Sequence, residues 1–316
     1  MKSSTRRLAQ IVVCLLAIFV CARLFAEDGK EVLTSKEPVT SAEPEAPQFR
    51  FSAEYNIEET YIGDSDVARG RHHVDDFDES NTLVSFVFTP RVSFGILRLG
   101  ASYERYSFGF DNGWPLPNTL QAANIVVGLD TQLSDSILVR IEAQPGIYGA
   151  GMDDLEWDDA NIPFVVGGTY IYSPNLQFVL GVGVDVNRKY PVVPGGGIRW
   201  RFASQWVLDA VVPKPRIEYE LNPEFTIYAG AVIKSQTFRM SDDQGAGGLP
   251  ELDRAVLNYS EVRTGLGFDW KITPAITLTA EGGYLPYREF DFHRTEVRYH
   301  HEQGAPYGTI ALHGAF

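Results

Sequence analysis

From Phe49 onward the chain alternates apolar and polar residues with a period of two. Phe49, Phe51, Ala53, Tyr55 and Ile57 alternate with Arg50, Ser52, Glu54, Asn56 and Glu58. A helix would place its apolar residues three and four apart; strict alternation marks a strand with one apolar and one polar face. The pattern recurs in Leu97–Ala101–Tyr103, in Ile137–Val139–Ile141, in Leu176–Phe178–Leu180–Val182 and in Ile276–Leu278–Ala280. The stretches are longer than the ~5–6 residues usual in soluble strands and match tilted strands that cross a bilayer.

Fourteen strands are expected: 49–62, 81–93, 96–109, 119–132, 137–148, 161–172, 176–188, 194–202, 206–213, 216–221, 225–238, 256–270, 276–288 and 305–316. The pair 206–213 and 216–221 is joined by Pro213-Lys214-Pro215. Proline lacks the N–H a ladder needs. If that hairpin lies outside the wall, the count is twelve.

Connections alternate short and long. Short ones are 134–136, 173–175, 203–205, 222–224 and 273–275. Long polar ones are expected at 63–80, 111–118, 149–160, 239–254 and 286–304. Short turns on one rim and long loops on the other are the habit of bacterial outer-membrane barrels. Tyr170, Tyr172, Phe202, Trp206, Phe225, Phe268 and Trp270 flank the short turns, where an aromatic girdle would meet the membrane interface. So many apolar faces exposed on long strands would aggregate in water. In lipid, a closed barrel satisfies every backbone group. The expected fold is therefore an all-β, transmembrane antiparallel β-barrel over 49–316.

The N-terminus explains how such a chain is exported. Lys2, Arg6 and Arg7 precede an apolar run, Ile11 to Val20, too short to span a bilayer and suited to a secretory signal peptide, residues 1–26. Cleavage is placed after Ala26, with Ala22 as the alternative. Both cysteines, Cys14 and Cys21, leave with it, so the exported chain needs no disulfide. Residues 27–48 are acidic and proline-bearing, a flexible leader without core-forming residues.

The last strand ends YGTIALHGAF. Its two faces are Ile310, Leu312 and Gly314 against Tyr307, Thr309, Ala311 and His313. It resembles the C-terminal strand of outer-membrane barrels, which ends in an aromatic residue and is read by the barrel-assembly machinery. The resemblance implies that machinery as a partner through Phe316.

Composition bounds the rest. Lys+Arg number 27 and Asp+Glu 41, a formal charge of −14 over 316 residues. Loss of Lys2, Arg6, Arg7 and Arg23 makes the exported chain four units more negative. This balance argues against nucleic acid as a partner.

A family resemblance lies in LPNTLQAANIVVGLD, IEAQPGIYG and VVPGGGIRWRFASQWVLDAVVPKPRIEYELNPEFTIYAG. These runs resemble an uncharacterised family of outer-membrane β-barrel domains. They carry a Pro-Gly-x-Tyr element (Pro145, Gly146, Tyr148), a Gly-x-x-Trp strand (Gly197, Trp200), a following Trp206 and the Pro213/Pro215 corner. The resemblance implies an outer-membrane barrel and supplies no substrate, cofactor or catalytic residue. More distantly, the chain is similar to barrels proposed to pass aromatic or other hydrophobic compounds.

If apolar faces meet lipid, the opposite faces line the interior. Candidate lumen residues are Arg98, Glu104, Arg140, Glu142, Arg199, Arg201, Asp209, Glu261, Arg263 and Glu281. They permit a water-filled pore with a selective charged wall. They equally permit mutual ion pairs that fill the lumen. The acidic clusters Asp75–Glu79 and Asp153–Asp159 follow no calcium-loop spacing. Adjacent His72-His73 and His300-His301 point to opposite sides of an extended chain, so neither pair chelates a metal. No nucleophile, nucleotide-loop or metalloprotease motif appears. The reading is a passive pore for small solutes. The alternatives are a plugged structural or adhesion barrel and a rim-active hydrolase. Solute, selectivity and oligomeric state stay open.

Overall fold

The computed structural model describes residues 52–316 apart from 71, 111–114, 153–155 and 245–248. The signal peptide and leader lie outside the described residues. So do Asp153 and Asp154 of the second acidic cluster.

Fourteen strands form one antiparallel sheet. They are β1 Ala53–Arg69, β2 His72–Phe88, β3 Gly95–Gly109, β4 Thr119–Ser134, β5 Ile137–Ala143, β6 Phe164–Ser173, β7 Leu176–Val184, β8 Val192–Arg201, β9 Trp206–Asp209, β10 Arg216–Glu220, β11 Phe225–Arg239, β12 Val256–Thr273, β13 Ile276–Phe292 and β14 Ala305–Ala315. Gly146–Gly149 prolongs β5, Ala160–Asn161 precedes β6, and Val297–His301 precedes β14. β14 pairs with β1, Glu54 opposite Ala315, so the sheet closes on itself. Phe316 and Ala53 exchange backbone hydrogen bonds, and the Phe316 ring stacks on Tyr55 at 5.8 Å. Closure leaves no open edge at the seam, which a lipid-facing sheet cannot tolerate.

The hairpin with the two prolines is part of the wall. Arg199 opposes Asp209, and Glu218 opposes Tyr228. Fourteen is therefore the count. The prolines end the ladder early, and β9 and β10 have only 4 and 5 residues.

The register assigns the two faces. Glu54, Glu58 and Thr60 of β1 point inward with their partners Val87, Leu83 and Asn81 on β2. Outward positions include Phe86, Leu99, Ile125, Ile141, Leu180 and Leu266, all exposed. Tyr170, Tyr172, Phe202, Trp206, Phe268 and Trp270 lie outward beside the short turns, also exposed. Phe225 stacks on Trp270 at 5.6 Å, and Trp206 packs on Tyr219 at 4.8 Å. An apolar coat with an aromatic belt at one rim is what a bilayer requires of a barrel.

Two expected loops turn out to be strand. β1 runs to Arg69 and β2 starts at His72, so 63–80 holds only a tight turn. Likewise β13 continues to Phe292. The reason is an inverted pattern. Here Val67, Val74, Phe77, Phe290, Phe292, Val297 and Tyr299 are buried, while Asp64, Asp75 and Arg298 are exposed. This end of the barrel has a dry interior and a wet exterior, like a soluble protein. Looking for apolar faces that meet lipid misses strands of this kind.

Candidate functional site

The interior divides into three zones. At the end opposite the short turns it is solid. Phe77, Tyr106, Phe108, Leu120, Phe238, Leu257, Tyr259 and Phe290 pack in one buried cluster with Met240 and Leu252. The rings interlock: Phe77–Phe108 at 5.3 Å, Phe108–Phe290 at 5.3 Å, Tyr259–Phe290 at 4.9 Å and Tyr106–Tyr259 at 5.1 Å. Edge-to-face and offset contacts of this kind favour fixed geometry.

Beneath the aromatics lies a buried ionic layer. The guanidinium of Arg288 meets Glu79 at 2.9 Å, with both side chains fully buried. The Tyr259 hydroxyl donates to Glu79 at 2.6 Å and to Glu261 at 3.1 Å. Arg263 reaches Glu261 at 3.4 Å and Glu58 at 3.6 Å, and donates to Thr60 Oγ1 at 2.7 Å. Lys234 donates to Glu104 at 2.9 Å and to Asn81 at 2.7 Å. Charges this deep persist only where partners replace lost water. The layer joins β1, β2, β3, β11, β12 and β13 across the lumen. Glycines on the inward face make room for the tyrosines below it. A Cβ on Gly265 would sit 2.5 Å from the Tyr307 hydroxyl, and one on Gly267 equally close to Tyr228. Both tyrosines donate to Glu281.

Toward the short turns the interior opens. A cavity of about 550 Å³ is lined by Arg199, Lys214, Arg216, Glu218, Glu220, Asp269 and His313, among others. Its charges are paired: Arg201–Glu220 at 2.7 Å, Arg216–Glu218 at 2.7 Å and Arg199–Asp209 at 3.7 Å. A larger cavity of about 1200 Å³ follows the inner wall of β5 to β8. At its short-turn end Arg140 makes a double hydrogen bond to Asp130, both distances 2.6 Å.

Each of the ten residues singled out in the sequence has an ion-pair or hydrogen-bond partner. Arg98 bridges Glu142 at 2.8 Å and Glu54 at 3.0 Å. Glu104, Glu261 and Arg263 sit in the buried layer. Arg140 lines the larger cavity. Arg199, Asp209 and Glu281 line the smaller one, with the Arg201–Glu220 pair beside it. The structure does not gather the ten into one constriction. Glu79 and Arg288, the most buried pair, were missed because 63–80 and 286–304 read as loops. A signal was present beside Arg288, where Phe290 and Phe292 alternate with Glu289 and Asp291; Phe77-Asp78-Glu79-Ser80-Asn81 holds one apolar residue and no alternation.

His313 lines the smaller cavity, whereas His73 and His301 do not. His73 contacts Glu302 at 2.9 Å, and His301 accepts from the Arg288 backbone N–H at 2.7 Å. Among the described residues no group of three or more His, Cys, Asp or Glu is placed to hold a metal ion.

A closed barrel, an apolar coat and an aromatic belt define an outer-membrane β-barrel lying in membrane lipid. Residues 46–308 match the model of a family described as a domain of unknown function, DUF6268, and the chain belongs to that family. No curated protein matches it. Among solved structures, an outer membrane channel from Pseudomonas putida F1 is similar at 7% identity and TM-score 0.46, covering 88% of this chain and 100% of that one. The KdgM porin in complex with disordered oligogalacturonate is similar at 10% identity and TM-score 0.35, covering 84% and 99%. A deletion mutant of the TodX monoaromatic hydrocarbon channel is similar at 11% identity and TM-score 0.37, covering 86% and 91%.

Proposed function

We propose that the protein is a passive channel for small solutes across the outer membrane. One observation carries the reading. The central lumen is filled at one end, yet the larger cavity runs from the short-turn rim at Arg91 and Gln132 up to Arg188, Val212 and Ser235 on the far side of the wall. That shape suits passage beside the filled core rather than through it. Phe316, seated against Ala53, is the feature offered to the assembly machinery. The chemistry assigned here is transport, not catalysis.

Purified protein in planar bilayers is expected to give stepwise openings of low conductance. Substituting both Phe108→Ala and Phe290→Ala removes the ring contacts that block the centre and is expected to raise the step size. The second reading is a plugged barrel, favoured by the aromatic cluster itself. Silence from a correctly folded, heat-modifiable barrel, together with no uptake of uncharged solutes into vesicles, would establish that reading instead.

A further inference from the structure

The wall has a gap, and the larger cavity reaches it. On its β10 side, β11 is held as far as Ile233, whose N–H donates to the Pro213 carbonyl. Among the described residues, 234–238 pair only with β12. The next ladder partner on the β10 side is Gly149, opposite Arg239. Across the gap, β8 is paired with the hairpin only from Gly196 downward, where Val212 donates to the Gly196 carbonyl. Val192 to Gly195 pair with β7 alone. The two prolines create this opening, because β9 and β10 end while their neighbours continue. Its upper part is tied by Asp185, which accepts from Thr237 and Asn161. Arg188 crosses below that and donates to the Ser235 carbonyl.

The height of the gap can be placed. Ile233 lies eight residues above Phe225 of the aromatic belt. At ~3.3 Å per residue and the usual tilt, that is roughly 20 Å along the membrane normal. The apolar band of such barrels is about 25 Å tall. The gap thus begins near the upper edge of the hydrocarbon.

The cavity behind it is uncharged and mostly apolar through its middle, where Thr169 opposite Val179 adds a hydroxyl. Val165, Val179 and Val193 point inward, and Gly167, Gly181 and Gly195 leave the wall bare between them. Charges stand only at the ends, Arg91, Asp130 and Arg140 below and Arg188 above. The other cavity, by contrast, is lined with charged side chains. A cavity of about 1200 Å³ lies slightly above the roughly 300–1,000 Å³ typical of small-molecule sites. An uncharged apolar molecule would lose nothing on entering it, whereas an ion would shed hydration without a partner.

Resting on the channel reading and sharpening its substrate, we propose that this cavity is a binding site for small, uncharged apolar molecules, entered sideways from the membrane through the gap beside Arg188. The site spans Val165, Gly167, Val179, Gly181, Val193 and Gly195. Arg188 is the bar across its entrance.

Cysteine accessibility in the full chain tests this, with Cys14 and Cys21 replaced by Ser and the protein reconstituted in lipid vesicles. Val193→Cys reports the cavity, Thr226→Cys the charged cavity and Leu266→Cys, outward and away from the cavity, the lipid face. The anionic reagent sulfonatoethyl methanethiosulfonate is expected to modify Thr226→Cys about tenfold faster than Val193→Cys, because a charge resists an apolar site. Bromobenzene is expected to slow N-phenylmaleimide severalfold at Val193→Cys and not at Leu266→Cys. Arg188→Ala is expected to speed that reagent at Val193→Cys. Equal anionic labelling at Val193→Cys and Thr226→Cys would show a water-filled space and overturn the site. Protection by bromobenzene at both Val193→Cys and Leu266→Cys, or at neither, would do the same. An unchanged rate in Arg188→Ala overturns the sideways entry. Conductance without bromobenzene protection defeats this inference and leaves the channel; protection without any solute passage defeats the channel and leaves the site.

Discussion

Strands β1 to β4 and β11 to β14 run 11 to 18 residues, and their inward faces carry rings, Arg288, Glu79, Lys234 and Glu104. Strands β5 to β10 run 4 to 10 residues, and the middle of β6 to β8 turns valine, glycine and Thr169 inward. One side of the barrel has closed its lumen and rises beyond the membrane as a self-packed cylinder. The other stays short, thin-walled and hollow. The difference teaches where stability and passage reside. Buried rings and ion pairs brace the long side across the lumen, so the short side can leave its interior empty. The same residue type therefore has different worth on the two sides, and that contrast can be broken by substitution.

The largest effect is expected at the buried pair. Arg288→Met leaves the buried Glu79 carboxyl without its cation, and should cost about 3–5 kcal/mol in reversible urea unfolding. Adding Glu79→Leu to it should recover much of the loss, since a dry, well-packed pair tolerates replacement. If the double variant is as unstable as the single one, the ionic layer does not act as a unit. Next come the lipid-facing positions. Leu180→Arg or Leu99→Arg should cost about 2–4 kcal/mol near the midplane, with Ser102→Arg, on the inner face, much milder. Equal losses on both faces would sink the register. Tyr259→Phe removes the hydroxyl shared by Glu79 and Glu261 and should cost about 1–3 kcal/mol by the same unfolding measurement. The smallest effect belongs to the hollow side. Arg140, half exposed at 51%, pairs with Asp130 in an open cavity, and Arg140→Ala should cost at most about 1 kcal/mol. A loss there as large as at Arg288 would erase the distinction between the two sides.

Much of this was legible in the chain. Alternation in Leu97–Tyr103 or Leu176–Val182 gave both the strand and its lipid face, because the bilayer imposes one rule on every outward residue. The closing strand was legible in YGTIALHGAF for the same reason. The inward residues obeyed no single rule. Arg98 and Arg263 read alike in sequence, yet one bridges Glu54 near the open end and the other lies in the buried layer with Glu58 and Glu261. Glu79 and Arg288 were hidden by a reversal: beyond the membrane the apolar face turns inward, so Phe77 and Phe290 look like loop residues to a search for lipid contacts. Pro213 and Pro215 were visible as ladder breakers. That they shorten the wall without leaving it depended on Asp209 finding Arg199 and Glu218 finding Tyr228.

Sequence alone determined the barrel, its outward coat and its aromatic rim, since period-two patterning and the demands of lipid act locally along each strand. Only the tertiary structure decided that the lumen is filled at one end, that the charges are spent on one another, and that a glycine-lined cavity meets a gap in the wall. Those outcomes depend on which inward faces meet across the barrel and where neighbouring strands end, and neither is written in any single strand.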